Sequence, residues 1–235
     1  MPLSDDKRAP GGLIRPGAVW LLAGVMFLGT GCASGGNKRS AQDESGRLLR
    51  LAYVQLERGQ TQEALASAND AVKRDPKNAE AHNFVGLIYM SQSDYPKAAV
   101  ELKEAVRLNP FFTDAHNNLG VAYRETKQYD KALAEFEAAL KDKTYKSQEK
   151  VQLNLGHLYL DQGVMAAAVQ AYERAVSINP NYALGFLALG TAYQKMGRKD
   201  DAIAQFKKVV ALAPDTPEAQ RARQQMESGA GRSGS

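Results

Sequence analysis

The sequence predicts an all-α fold, a solenoid of about five helix-turn-helix repeats plus a C-terminal capping helix. Three observations predict it. Residues 45–216 align with themselves as 45–78, 79–112, 113–148, 149–182 and 183–216, a period of 34 with two extra residues before Glu149. Small residues recur within that period: Ala52, Gly86, Gly120, Gly156 and Gly190 at the eighth position, and Ala64, Ala98, Ala132, Ala168 and Ala202 at the twentieth. Finally, Pro76, Pro110, Pro180 and Pro214 share the thirty-second position, with Thr144 in the third repeat.

Ahead of the repeats, Ala18–Leu28 (AVWLLAGVMFL) is an uncharged apolar run, preceded by Lys7, Arg8 and Arg15 and followed by Gly29, Thr30 and Gly31. Eleven residues span about 16 Å as a helix, roughly half a bilayer's hydrocarbon core, which is too short for a membrane span. A basic segment, a short apolar run and small residues before a cleavage point describe an export signal over residues 1–31. Cys32, the only cysteine in the chain, follows at once. The run Gly29-Thr30-Gly31-Cys32 resembles the bacterial lipobox, with Leu28 one place earlier than the usual leucine. That resemblance implies acylation of Cys32, and Ala33 after it implies delivery to the outer membrane, leaving the repeats in the periplasm. Stable anchoring takes about two acyl chains, which a fully acylated cysteine exceeds. Residues 32–44, rich in Ser, Gly and charge, read as a flexible tether.

Each repeat carries two stretches of helical apolar period separated by a short break, such as Gly59-Gln60 or Gly197-Arg198. Small residues at the eighth and twentieth positions let the two helices approach closely. Ala71, Ala105, Ala139 and Ala175, at the twenty-seventh position (Val209 in the last repeat), allow the next repeat to pack on the second helix. Proline then forces the turn into the next unit. Residues 217–227 supply a polar-faced helix to cap the last apolar face, and residues 228–235 read as a disordered tail.

This pattern is similar to the tetratricopeptide repeat (TPR), and the resemblance implies a right-handed superhelix whose first helices line a concave groove. The repeat positions that face that groove in TPR proteins fall here on Leu49, Tyr53, Asn83, Leu87, Met90, Asn117, Val121, Arg124, Leu153, His157, Leu187 and Thr191. Most are apolar, with amides and one Arg between them, which suits an amphipathic helix or extended segment of a partner. The Lys and Arg clamp of chaperone-binding TPRs is missing, since no fifth position carries Lys.

The composition is ordinary for a globular protein, with 44% apolar and 24% charged residues and a net charge of +4. One cysteine excludes an internal disulfide, a thiolate metal cluster and a CxxC redox pair. His82 and His116 sit one repeat apart at the fourth position, a spacing set by the repeat, so they read as packed side chains rather than metal ligands. No catalytic residue, metal site or cofactor is expected beyond the covalent lipid on Cys32. Basic residues are dispersed without a stacking aromatic series, which disfavours nucleic acid, and no small-molecule substrate is implied.

An exported lipoprotein built of such repeats resembles the pilotins of the type IV pilus, the PilF/PilW/Tgl class. The resemblance rests on the signal ending at Cys32, on the run Ala115–Gly120 (AHNNLG), and on the junction Lys141–Gly163 (KDKTYKSQEKVQLNLGHLYLDQG). It implies a lipid-anchored protein that binds the pilus secretin subunit and promotes its targeting and multimerisation at the outer membrane. The alternative is a periplasmic scaffold that recruits another envelope protein, such as a cell-wall enzyme or a protease.

Overall fold

A computed structural model of the chain describes residues 33–230, and all regular elements among them are α-helices. They pair as α1 (Ala33–Glu57) with α2 (Thr61–Arg74), α3 (Ala79–Ser91) with α4 (Tyr95–Leu108), and α5 (Thr113–Glu125) with α6 (Tyr129–Lys141). Then come α7 (Gln148–Asp161) with α8 (Met165–Ile178), α9 (Ala183–Lys195) with α10 (Lys199–Leu212), and α11 (Pro217–Ala230). Each second helix packs on the next first helix, and α3 touches α5, α5 touches α7 and α7 touches α9. The second helices have no comparable contact with one another. The stack therefore bends towards its first helices, and these line the concave side.

The small residues do what their spacing requires. Ala64, Ala98, Ala132 and Ala168 are fully buried and Ala202 nearly so, as are the residues of the twenty-seventh position. A Cβ on Gly120 would sit 2.6 Å from the Phe136 ring, and one on Gly156 would sit 2.3 Å from the Tyr172 ring. These glycines are thus the contact points at which first and second helices cross. The fifteenth position closes each helix-helix turn in the left-handed region: Gly59, Gly163 and Gly197 occupy it, but so do Ser93 (φ 60°) and Lys127 (φ 59°). A side chain is strained there, so repeats 2 and 3 carry a small conformational cost that the others avoid.

Two expectations change at the ends of the solenoid. The stretch expected as a flexible tether is helical from Ala33 onwards, the leading part of α1. No proline interrupts residues 33–44, and extending a helix that is already nucleated costs far less than starting one. The nucleus is the packed end of α1, where Ser45 Oγ donates to the Ala71 carbonyl at 2.9 Å and Glu44 pairs with Arg74. Likewise α11 continues through residues 228–230, which the sequence suggested as tail. Ala219 and Ala222 of α11 are fully buried, and Met226 packs on the last core cluster. Its Arg221, Arg223 and Gln224 are exposed. Residues 1–32, with the expected signal and Cys32, and residues 231–235 lie outside the described residues.

Candidate functional site

The first helices bring one face of α1, α3, α5, α7 and α9 to the concave side. Tyr53 is 44% exposed there, its ring 3.9 Å from that of Phe84 between centroids. Leu87, Met90, Val121, Leu187 and Thr191 are half-buried. Thr191 Oγ1 donates to its own Leu187 carbonyl at 2.8 Å, which caps its polarity. Four expected groove residues, Leu49, Asn83, Asn117 and Leu153, are buried. Leu49 and Leu153 are 4% and 8% exposed and belong to core clusters, because neighbouring first helices are close enough to cover the fifth position.

The same closeness builds a ladder of amides. Asn118 Nδ2 donates to Asn83 Oδ1 at 3.0 Å, and Asn154 Nδ2 donates to Asn117 Oδ1 at 2.9 Å. Each bond joins the fifth position of one repeat to the sixth of the next. Asn83 and Asn117 are buried, and their satisfied oxygens fix the amides in place. Tyr53, Asn83, Leu87, Asn117 and Asn118 line a cavity of about 500 Å³. The other walls are Glu80, Asp114 and Lys150, at the second position of repeats 2, 3 and 4, with Phe112 and Tyr145 from the junctions between repeats.

Tyr145 reaches this cavity from the loop between repeats 3 and 4. Asp142 organises that loop: its carboxylate accepts from Thr113 Oγ1 at 2.8 Å, Thr144 Oγ1 at 2.7 Å and the Thr144 N–H at 2.9 Å. Those bonds, that from the Thr144 hydroxyl first, hold the Asp142 carboxyl below the usual carboxylate range. Gln148 Nε2 donates to the Asp142 carbonyl at 2.9 Å and ties the loop to the start of α7. The Tyr145 hydroxyl then donates to Asp114 Oδ1 at 2.5 Å. Nothing in the repeat pattern marks this tyrosine; the one sequence signal is the broken period itself.

Further along, Arg124 crosses from α5 towards α7. It pairs with Glu125, and its Nε lies 3.4 Å from Asp161 Oδ2, an ion pair without hydrogen-bond geometry. His157 stands edge-on to Tyr172 with ring centroids 5.5 Å apart. Burial first, then the Arg124 charge, pushes the His157 imidazole down to about 4, so it is neutral at ordinary pH. The Tyr172 hydroxyl is buried with no hydrogen-bond partner. Met90, Leu187 and Thr191 do not line the 500 Å³ cavity, and neither do Val121, Arg124 or His157.

His82 and His116 sit between paired helices. His82 Nδ1 lies 2.7 Å from Glu101 Oε2 and its Nε2 lies 3.2 Å from the Pro76 carbonyl. His116 repeats this with Glu135 at 2.6 Å and the Pro110 carbonyl at 3.0 Å. A carboxylate and a carbonyl can only accept, so both ring nitrogens must donate and the imidazolium is the matching form. The hydrogen bond to glutamate accordingly raises both histidine pKa values above the ordinary range. Among the described residues there is no group of three His, Cys, Asp or Glu placed to hold a metal.

Family models match along the repeats: tetratricopeptide repeat at residues 49–102, 89–149 and 183–216, and TPR repeat at 156–197. Together they cover more than half of the chain. The chain belongs to the tetratricopeptide repeat family. These repeats form protein-interaction scaffolds and are typically non-enzymatic. The chain is homologous to the type IV pilus assembly protein PilF of Pseudomonas aeruginosa, 28% identical over 174 residues, 72% of this chain and 68% of that protein. The solved PilF structure shares the fold, with a TM-score of 0.69, 20% identity and coverage of 81% of this chain and 90% of that one. PilW, described as a widely conserved type IV pilus biogenesis factor, aligns at a TM-score of 0.67 with 24% identity, covering 78% and 92%. A peptide N-acetylglucosaminyltransferase of Giardia intestinalis is 36% identical over 62 residues, but these are 4% of its length and lie in its repeats.

Proposed function

We propose that this tetratricopeptide repeat protein is a pilotin of the type IV pilus. It binds the secretin subunit along the concave face and promotes its multimerisation at the outer membrane. The observation that carries the reading is the homology to PilF over 174 residues, which extends well beyond a single repeat. In this reading Cys32 bears the lipid, the apolar segment before it is the export signal, and Ala33 directs the anchor to the outer membrane. Because α1 is helical from Ala33, the lipid would attach directly to a helix rather than through a loose linker. The groove acts by binding and not by catalysis.

Deleting the gene is expected to abolish heat-resistant secretin multimers and surface pili. Normal multimers in the deletion strain would overturn the pilotin reading, and co-purification of cell-wall enzymes in their place would establish the scaffold. The anchor is tested separately by Cys32→Ala, which should release a folded protein from the membrane fraction; unchanged fractionation refutes lipidation.

A further inference from the structure

The cavity between α1, α3, α5 and the 142–147 loop has a composition that a generic apolar groove lacks. Tyr53 and Phe112 supply aromatic walls, and the 142–147 loop adds the Tyr145 ring. Glu80 and Asp114 bring two carboxylates, whereas Lys150 brings one cation, so the negative charges prevail. The phenols register that balance. Both the Tyr53 and the Tyr145 hydroxyls are held above the ordinary tyrosine range, by burial first, and Asp114 contributes in each case.

Beneath these walls the amides of Asn83 and Asn117 stand one repeat apart. Their oxygens are engaged by Asn118 and Asn154, and their own amide N–H groups make no hydrogen bond among the described residues. Two fixed donors on neighbouring helices, about 8–10 Å apart, match carbonyls about three residues apart on an extended chain. Aromatic faces beside carboxylates match a guanidinium or ammonium, through stacking and charge together.

The geometry points to a subsite in the groove that takes an extended partner segment bearing an arginine or lysine side chain, with that side chain seated between Tyr53, Phe112 and Tyr145 and facing Glu80 and Asp114. The inference rests on the concave face being the partner-binding surface and names the chemistry that face reads.

The test uses the full chain in neutral detergent and four acetylated, amidated peptides, Ser-Ala-Ser-Xaa-Ser-Ala-Ser, with Xaa arginine, citrulline, leucine or glutamate. Binding is followed by nuclear magnetic resonance at the Asn83 and Asn117 side-chain amides and the Tyr145 ring. The arginine peptide is expected to bind at least tenfold tighter than the isosteric but neutral citrulline peptide. Glu80→Gln with Asp114→Asn, both at exposed positions where an amide can still accept from Tyr145, should reduce that preference below threefold. Equal binding of arginine and citrulline overturns the proposal, as does a preference for glutamate or leucine, or no shift with any peptide. These outcomes are separate from secretin assembly in the deletion strain, so failure here leaves the pilotin reading to its own test.

Discussion

Repeats 2 and 3 share a 34-residue frame with repeats 4 and 5 but join their paired helices by different chemistry. In the earlier pair the fourth position is His82 or His116, each held between a glutamate and a proline carbonyl. In the later pair it is Gln152, whose side-chain oxygen is buried without a partner, and Phe186, which is 6% exposed in the core. The side chains beneath the eighth-position glycines, by contrast, do not divide the two pairs. Leu102 and Phe136 fill that place in repeats 2 and 3, Tyr172 and Phe206 in repeats 4 and 5. Repeats 2 and 3 thus carry a charged staple at the fourth position, which repeats 4 and 5 replace by an amide and a ring. The lesson is that a solenoid tolerates either solution locally, because each repeat contacts only its neighbours.

The difference can be sharpened by substitution. The largest effect is expected from Phe206→Ala in repeat 5, about 3–5 kcal/mol in urea denaturation and insensitive to pH. Next comes Glu101→Ala with Glu135→Ala, about 1–3 kcal/mol for each lost partner. This loss should be pH-dependent. The histidine pKa values are raised in the folded chain, so the staples contribute fully below about 6.5 and their stability is lost as pH rises through the folded values. The double variant should therefore lose most relative to wild type near pH 6 and least near pH 9. His157 has the opposite sign. Its pKa is depressed to about 4, so its contribution is intact above about 6.5 and declines as pH falls towards 4. His157→Phe should flatten the acid limb of the melting curve and leave the alkaline limb unchanged.

Smaller effects test single atoms. Tyr172→Phe removes a buried, unpartnered hydroxyl from a place where repeats 3 and 5 already carry phenylalanine, and should stabilise by about 1 kcal/mol. Destabilisation by that amount would mean the hydroxyl has a partner in solution. The smallest change is expected from Ser93→Gly and Lys127→Gly, each stabilising by about 0.5 kcal/mol because the turn there needs positive φ.

The architecture was legible because a repeat states its own constraints five times over. Alanine at the twentieth position and glycine at the eighth each mark a helix crossing, and Pro76, Pro110, Pro180 and Pro214 mark the ends of units. The site was legible only in part. Tyr53, Asn83, Leu87 and Asn117 follow from repeat position and do line the cavity. Leu49 and Leu153 follow from the same rule yet are buried, since position alone does not tell how closely the neighbouring helix approaches. Tyr145 and Phe112 come from a loop and a helix cap, outside the registers that the repeat assigns to the groove, whereas Glu80, Asp114 and Lys150 share the second position of their repeats. The helix from Ala33 was hidden for another reason. Its Ser, Gly and charged composition resembles a linker, and its helicity is propagated from Ser45 back towards Ala33.

The central claim is that the concave face of this solenoid binds the secretin subunit. Its most direct measurement is complementation of the deletion strain with a Tyr53→Ala, Val121→Arg variant whose circular dichroism and melting match wild type. Loss of heat-resistant secretin multimers, with the variant present at wild-type level in the membrane fraction, is the predicted result. Undiminished multimers from that folded variant would contradict the account.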